Sequence, residues 1–298
     1  MGRIYDVLKR AEREQAAYTE IGVGEADPSV MMPAAEPVPA TPAAEESSLA
    51  LETVLARCIQ TVWLPDTRTM LFFGSEERVE GTEQFRNLRS QIYQLRERRS
   101  LRRILVASAV PGEGRSFVAA NLAQVMARQP GCRVLLIDAD LRSPNLHSAL
   151  GTSPTPGLAE YLLGEADELG IIQRGQMENL FFIASGRAVS GQTETFCNGR
   201  LKLLLDRVGG IFEWIILDSP AALPVSDSWE VSKCCDGVLM VVRSNSTPFD
   251  VVRRAQQKFS EDKLLGVALN GTSAEIDPKV RHYYNAAALR SGAKETAQ

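Results

Sequence analysis

The chain has 298 residues, 44% of them apolar and 23% charged, the proportions of a globular protein with a real core. A formal net charge of −4 speaks against nucleic acid as a partner. No apolar run approaches the ~18 residues of a membrane span, and the charged opening residues, without an apolar core segment, are not expected to act as a signal peptide. Five cysteines in no framework spacing point to a reduced, cytoplasmic protein, and two histidines leave little for a histidine-based metal site.

Residues 1–20 place Ile4, Val7, Leu8 and Ala11 at helical spacing between charges, the pattern of an amphipathic docking helix. Residues 21–50 hold five of the chain's 15 prolines, five acidic side chains and no basic ones. Such a stretch cannot offset its chain entropy by burial and is expected to be a disordered linker. Residues 51–64 are again apolar enough to be structured. Residues 82–103 carry seven arginines and two glutamates, with Phe85, Leu88, Ile92 and Leu95 at three- and four-residue spacing. That predicts an amphipathic helix with a basic face.

From residue 103 strands and helices alternate. Strands are expected at 104–107, 134–137, 180–184, 214–217, 237–242 and 264–269, and helices at 116–128, 157–163 and 200–208. This predicts an α/β fold, a mostly parallel sheet with helices on both faces, with ligands at the carboxyl ends of the strands. The folded domain is expected over 51–272 and a flexible tail over 273–298.

The first of these strands runs into Ala109-Val110-Pro111-Gly112-Glu113-Gly114-Arg115-Ser116. Strand, glycine-rich turn, hydroxyl and helix form the P-loop pattern, whose backbone N–H groups cradle phosphate. The loop residues Pro111 to Ser116, with Phe117 behind them, are the candidate nucleotide contacts, and Ser116 is the candidate hydroxyl for Mg²⁺. The P-loop lysine is replaced by Arg115, which keeps the charge but brings a longer, planar fork. The effect is expected to fall on transition-state stabilisation.

The second strand ends in Asp138-Ala139-Asp140. Two residues apart in extended chain, the two carboxylates are expected to share a face at the ligand edge. A third strand ends in Asp218, the position of a Walker B aspartate that organises Mg²⁺. Three carboxylates beside a triphosphate require a cation.

These segments resemble the bacterial tyrosine kinases of capsule and exopolysaccharide synthesis, with their Walker A, A′ and B motifs on a MinD/ParA-like P-loop fold. Glu83-x-x-Arg86-x-x-Arg89 is similar to the family's E-x-x-R-x-x-R helix, and Gly157-Leu158-Ala159-Glu160 opens a segment similar to its G-L-x-E-x-L-x-G. The resemblance covers roughly residues 82–270 and the N-terminal helix. It implies ATP- and Mg²⁺-dependent phosphorylation of tyrosine, in a homo-oligomeric ring that Glu83, Arg86 and Arg89 help assemble. It implies Asp138, with Asp140 beside it, as general base or metal organiser. Asn270 is a candidate adenine contact, and Tyr283 and Tyr284 in the tail are candidate phosphoacceptors. The partner implied is a separate membrane polysaccharide co-polymerase, which would hold a cytoplasmic protein at the inner face of the membrane. Two other readings compete. One is a catalytically weakened nucleotide-binding assembly subunit, on account of Arg115. The other is a positioning ATPase, against which Ser108-Ala109 stands where those proteins carry an extra lysine.

Overall fold

A computed structural model describes residues 50–73, 79–189 and 191–272. The expected docking helix, most of the linker and the tail with Tyr283 and Tyr284 lie outside the described residues.

Short, β-branched-rich runs form the sheet because their side chains are buried on both faces. β2 (Arg103–Ser108), β3 (Val134–Asp138), β6 (Trp214–Asp218) and β7 (Gly237–Arg243) are almost wholly buried. With β1 (Ile59–Gln60), β4 (Ile172–Arg174), β5 (Leu180–Ile183) and β8 (Leu264–Asn270) they make an eight-stranded sheet in the order β1-β4-β5-β3-β6-β2-β7-β8. All pairings are parallel except β4 with β5. β1 and β4 escape sequence reading because each is too short to show a period.

Alternate residues of each strand feed two cores. Ile104 and Val106 of β2 pack with Val134, Leu136 and Ile216 against α2 (Val79–Arg98) and α3 (Arg115–Ala127). Leu105 and Ala107 pack with Leu135, Ile137 and Leu217 on the opposite face, with α5 (Leu158–Leu162) and α7 (Arg200–Val208). In α7, Leu201, Leu204, Leu205 and Val208 form a single buried stripe. α3 is instead buried almost all round, lying between the sheet and α2. Its Asn121 and Gln124 accept from the backbone N–H groups of Leu71 and Phe72, at 2.9 and 3.2 Å, and fasten that segment over the core. α1 (Leu51–Arg57) and the shorter α4 (Leu146–Leu150), α6 (Gln192–Phe196), α8 (Asp227–Lys233) and α9 (Phe249–Gln256) complete the set.

Candidate nucleotide site

The segments that follow the carboxyl ends of β2, β3 and β6 meet at a cavity of about 460 Å³. Its lining includes Pro111 to Phe117, Asp140, Arg142 and Pro220. The turn into α3 depends on Gly112 and Gly114, at φ +84° and +87°, a region open to glycine at little cost. A Cβ on Gly114 would stand 1.9 Å from the Asn270 Nδ2, so a side chain here would both strain the turn and displace Asn270.

Each candidate loop residue takes a distinct place. The Glu113 side chain turns away from the cavity and is only 2% exposed. It accepts from Val110 N at 2.8 Å, Thr247 Oγ1 at 2.7 Å and Arg243 N at 3.3 Å. Its side chain is therefore a strut tying the loop to the end of β7, and only its backbone can face a phosphate. The Asn270 Nδ2 donates to the Glu113 carbonyl at 2.9 Å, so this side chain also braces the loop. Asn270, Phe117, Phe85 and Leu88 line a second cavity of about 570 Å³ between α2 and β8.

Arg115 points into the carboxylates. Its guanidinium gives Nη2 to Asp140 Oδ2 at 2.8 Å, Nε to Asp218 Oδ1 at 3.0 Å and Nη1 to Ser108 Oγ at 2.9 Å. All three groups are largely buried, with side-chain exposures of 11% for Arg115, 7% for Asp140 and 1% for Asp218. Sequence reading gives the charge of Arg115 but not this three-way engagement.

Asp138 and Asp140 are not placed by one stretch of extended chain, as the sequence reading expects. β3 ends at Asp138, so strand alternation does not reach Asp140. The Asp138 carboxylate caps the turn that follows, accepting from Asp140 N and Leu146 N at 3.2 Å each. Asp140 swings to Arg115. Burial first, then the neighbouring Asp218 charge, hold Asp138 well above the usual carboxylate range. Burial likewise lifts Asp218 to about 6, although Arg115 and a hydrogen bond from Ser116 pull the other way. In low dielectric these acids ionise only when a cation faces them.

A further cluster went unread in the sequence. Arg142, at the cavity wall, forks onto Asp227 at 2.7 and 3.1 Å, and Thr193 donates to the same carboxylate. Asp227 is fully buried. It lies some eighty residues downstream on α8, where nothing in the local pattern marks it.

Ser116 and Asp218 together offer hard oxygen ligands suited to Mg²⁺. Among the described residues no group of three or more His, Cys, Asp or Glu side chains is placed to hold a metal alone. That fits an ion which keeps its waters and takes further ligands from substrate phosphates.

Of the expected assembly residues, Glu83 and Arg86 pair with each other, and Arg89 Nη1 donates to the Val125 carbonyl of α3 at 3.0 Å. Among the described cysteines none is in a disulfide, and Cys58, Cys132 and Cys235 are buried.

Residues 104–273 match the model of the CobQ/CobB/MinD/ParA nucleotide-binding domain. The chain is 33% identical over 211 residues to the tyrosine-protein kinase YwqD of Bacillus subtilis, covering 70% of this chain and 89% of that one. This chain belongs to the bacterial tyrosine kinases. The succinoglycan biosynthesis transport protein ExoP of Rhizobium meliloti is 34% identical over 214 residues, a match that spans 70% of this chain but only 27% of ExoP. The kinase domain of Escherichia coli ETK superposes with a TM-score of 0.61 at 28% identity, covering 66% of this chain and 77% of that domain. The P-loop, Asp138, Asp140 and Asp218 all lie within the residues that match the nucleotide-binding domain. No described helix is long and apolar enough to cross a membrane.

Proposed function

We propose that the chain is a protein-tyrosine kinase that transfers the γ-phosphoryl of ATP to tyrosine, and that Arg115 serves as its P-loop cation. The observation that carries this is a left-handed glycine loop, Ser116, Arg115 and Asp140 lining one cavity, with the buried strand-end Asp218 paired to Arg115 behind them. Backbone N–H groups from Gly112 to Ser116 and the positive end of α3 take the phosphates. Ser116 and Asp218 would hold Mg²⁺, which when bound supplies charge neutralisation at the phosphoryl oxygens.

Without nucleotide, Arg115 is the counter-ion of Asp140 and Asp218. Phosphates entering the loop compete for the guanidinium, and its fork matches phosphate oxygens as well as it matches carboxylates. The substitution for lysine therefore preserves a cation at the loop and adds a resting ion pair. Asp138, held by two backbone N–H groups, is the fixed carboxylate that would orient the tyrosine hydroxyl and accept its proton. Its raised proton affinity suits an acceptor facing a hydroxyl of ordinary pKa near 10. Asn270 supports the loop and places the nucleobase beside the second cavity.

The name and length of ExoP support a role for this chain in polysaccharide production beside a membrane co-polymerase. In that setting Glu83, Arg86 and Arg89 would join neighbouring subunits, and Tyr283 and Tyr284 would receive phosphate. The test is a phosphotyrosine assay of the purified chain with Mg-ATP, beside Asp138→Asn and a Tyr283→Phe, Tyr284→Phe variant. Phosphotyrosine that vanishes in Asp138→Asn and falls in the tail variant is expected. A persistent signal in Asp138→Asn removes that residue from the reaction.

A further inference from the structure

At the opposite end of the sheet, α2 runs out into β2 through Arg96, Arg98, Arg99, Arg102 and Arg103. The first four of these line one open pocket of about 410 Å³, with Glu97, Ser100 and Leu101. Arg103 is accounted for, since it pairs with Asp206 at 2.7 Å. Among the described residues, none of the other four forms an ion pair with a carboxylate. Arg96 lies over the Trp214 ring at 4.6 Å. Arg102 gives Nη1 to the Gly209 carbonyl. Arg99 gives Nη1 to the Asp262 carbonyl at 2.5 Å, but its Nε and Nη2 are buried with no acceptor among the described residues. Arg98 is exposed, with no hydrogen bond of its side chain among the described residues.

Structural roles leave most of this charge unexplained. The carbonyl end of α2 favours cations in its last turn, but a helix end carries only about half a unit charge. Asp236 is taken up by the backbone N–H groups of Arg102 and Arg103, at 2.8 and 2.7 Å, rather than by a guanidinium. Buried donors without acceptors are rare in native proteins, and two on one planar guanidinium ask for an oxyanion.

We propose that this corner is an anion site for a phosphate group, separate from the nucleotide cleft. β2 runs between the two, and its six residues span roughly 17–20 Å. The Arg99 guanidinium, with Nε and Nη2 buried and unpartnered among the described residues, lines this pocket beside Arg96, Arg98 and Arg102, which supply the surrounding field. Free phosphate and the headgroup of an anionic lipid share this chemistry.

The test uses the full chain with its loop filled by excess ADP. Inorganic phosphate is titrated by calorimetry, and co-sedimentation is measured with vesicles of phosphatidylcholine, alone or with phosphatidylglycerol. Binding of either probe that weakens about tenfold in Arg99→Gln, and also in Arg98→Gln, supports the site. Phosphate binding identifies a soluble ligand, and binding only to phosphatidylglycerol vesicles identifies a lipid headgroup. Arg98→Gln guards against misfolding, because that side chain supports nothing. No binding of either probe overturns the proposal, as does binding that neither substitution changes.

Discussion

The two ends of the sheet handle arginine in opposite ways. At the carboxyl end the two arginines that line the cleft are matched: Arg115 lies between Asp140 and Asp218, and Arg142 forks onto buried Asp227. At the amino end four guanidiniums and a single carboxylate, Glu97, line one pocket, and among the described residues none of the four forms an ion pair. The first arrangement is a closed set of charges that a phosphate must enter by exchange. The second is open, with donors already desolvated. The same residue type therefore reports a resting site in one place and an unfilled one in the other, and only the partners tell them apart.

Asp218→Asn should have the largest effect on this contrast, since it removes both a ligand for the cation and the partner of Arg115. Phosphotyrosine formation should fall by about a hundredfold or more, with the fold retained by circular dichroism. An unchanged rate would place the cation elsewhere. Arg142→Ala tests the matched cations through stability. It strands the buried Asp227, and urea unfolding should show a loss of about 3 kcal/mol, the range for breaking one side of a buried pair. Loss of less than about 1 kcal/mol would make that pair a surface contact in energy.

Glu113→Gln keeps the size of the loop strut but loses its charge. A cost of about 1–2 kcal/mol is expected, with weaker ADP binding, because three donors converge on that carboxylate. Arg98→Gln should leave stability within about 0.5 kcal/mol, as an unbonded surface side chain does. That null result, beside the loss in Arg142→Ala, is the comparison in its simplest form.

The acids of the cleft also predict a pH dependence. Asp218 titrates near 6 in the folded protein, above its ordinary range near 3.8. The folded state thus holds a proton there that the unfolded chain has released. This group's contribution favours folding at acid pH and is lost as pH rises through 4 to 6. Thermal melts of the nucleotide-free protein should show that slope reduced in Asp218→Asn. Divalent-cation binding should run the other way, strengthening as pH rises past 6. A cation affinity flat from pH 5 to 7 would contradict the raised proton affinity of this carboxyl.

The sheet was largely legible in sequence because its strands are short apolar runs ending in charged or turn residues. Val134–Asp138 and Trp214–Asp218 each show their buried length and their functional terminus in five letters. The P-loop was legible because glycine at positive φ leaves a compositional trace. The roles within the loop were not. Whether Glu113 faces the ligand or the scaffold depends on Thr247 and Arg243, more than a hundred residues away. The split between Asp138 and Asp140 depends on where β3 stops, a boundary that alternation does not mark. The pairing of Arg142 with Asp227 is set by the docking of α8. Each miss is a contact between distant segments, which local pattern does not encode.

The central claim is that Arg115 serves as the loop cation of a working kinase rather than as a plug. The direct measurement is phosphotyrosine formed by purified wild type and Arg115→Lys with Mg-ATP, beside Asp138→Asn as the blank. Clear signal in wild type, within about tenfold of Arg115→Lys and absent in Asp138→Asn, is the predicted result. No signal in wild type, with activity appearing only in Arg115→Lys, would contradict it and leave the chain a nucleotide-binding subunit held shut by its own arginine.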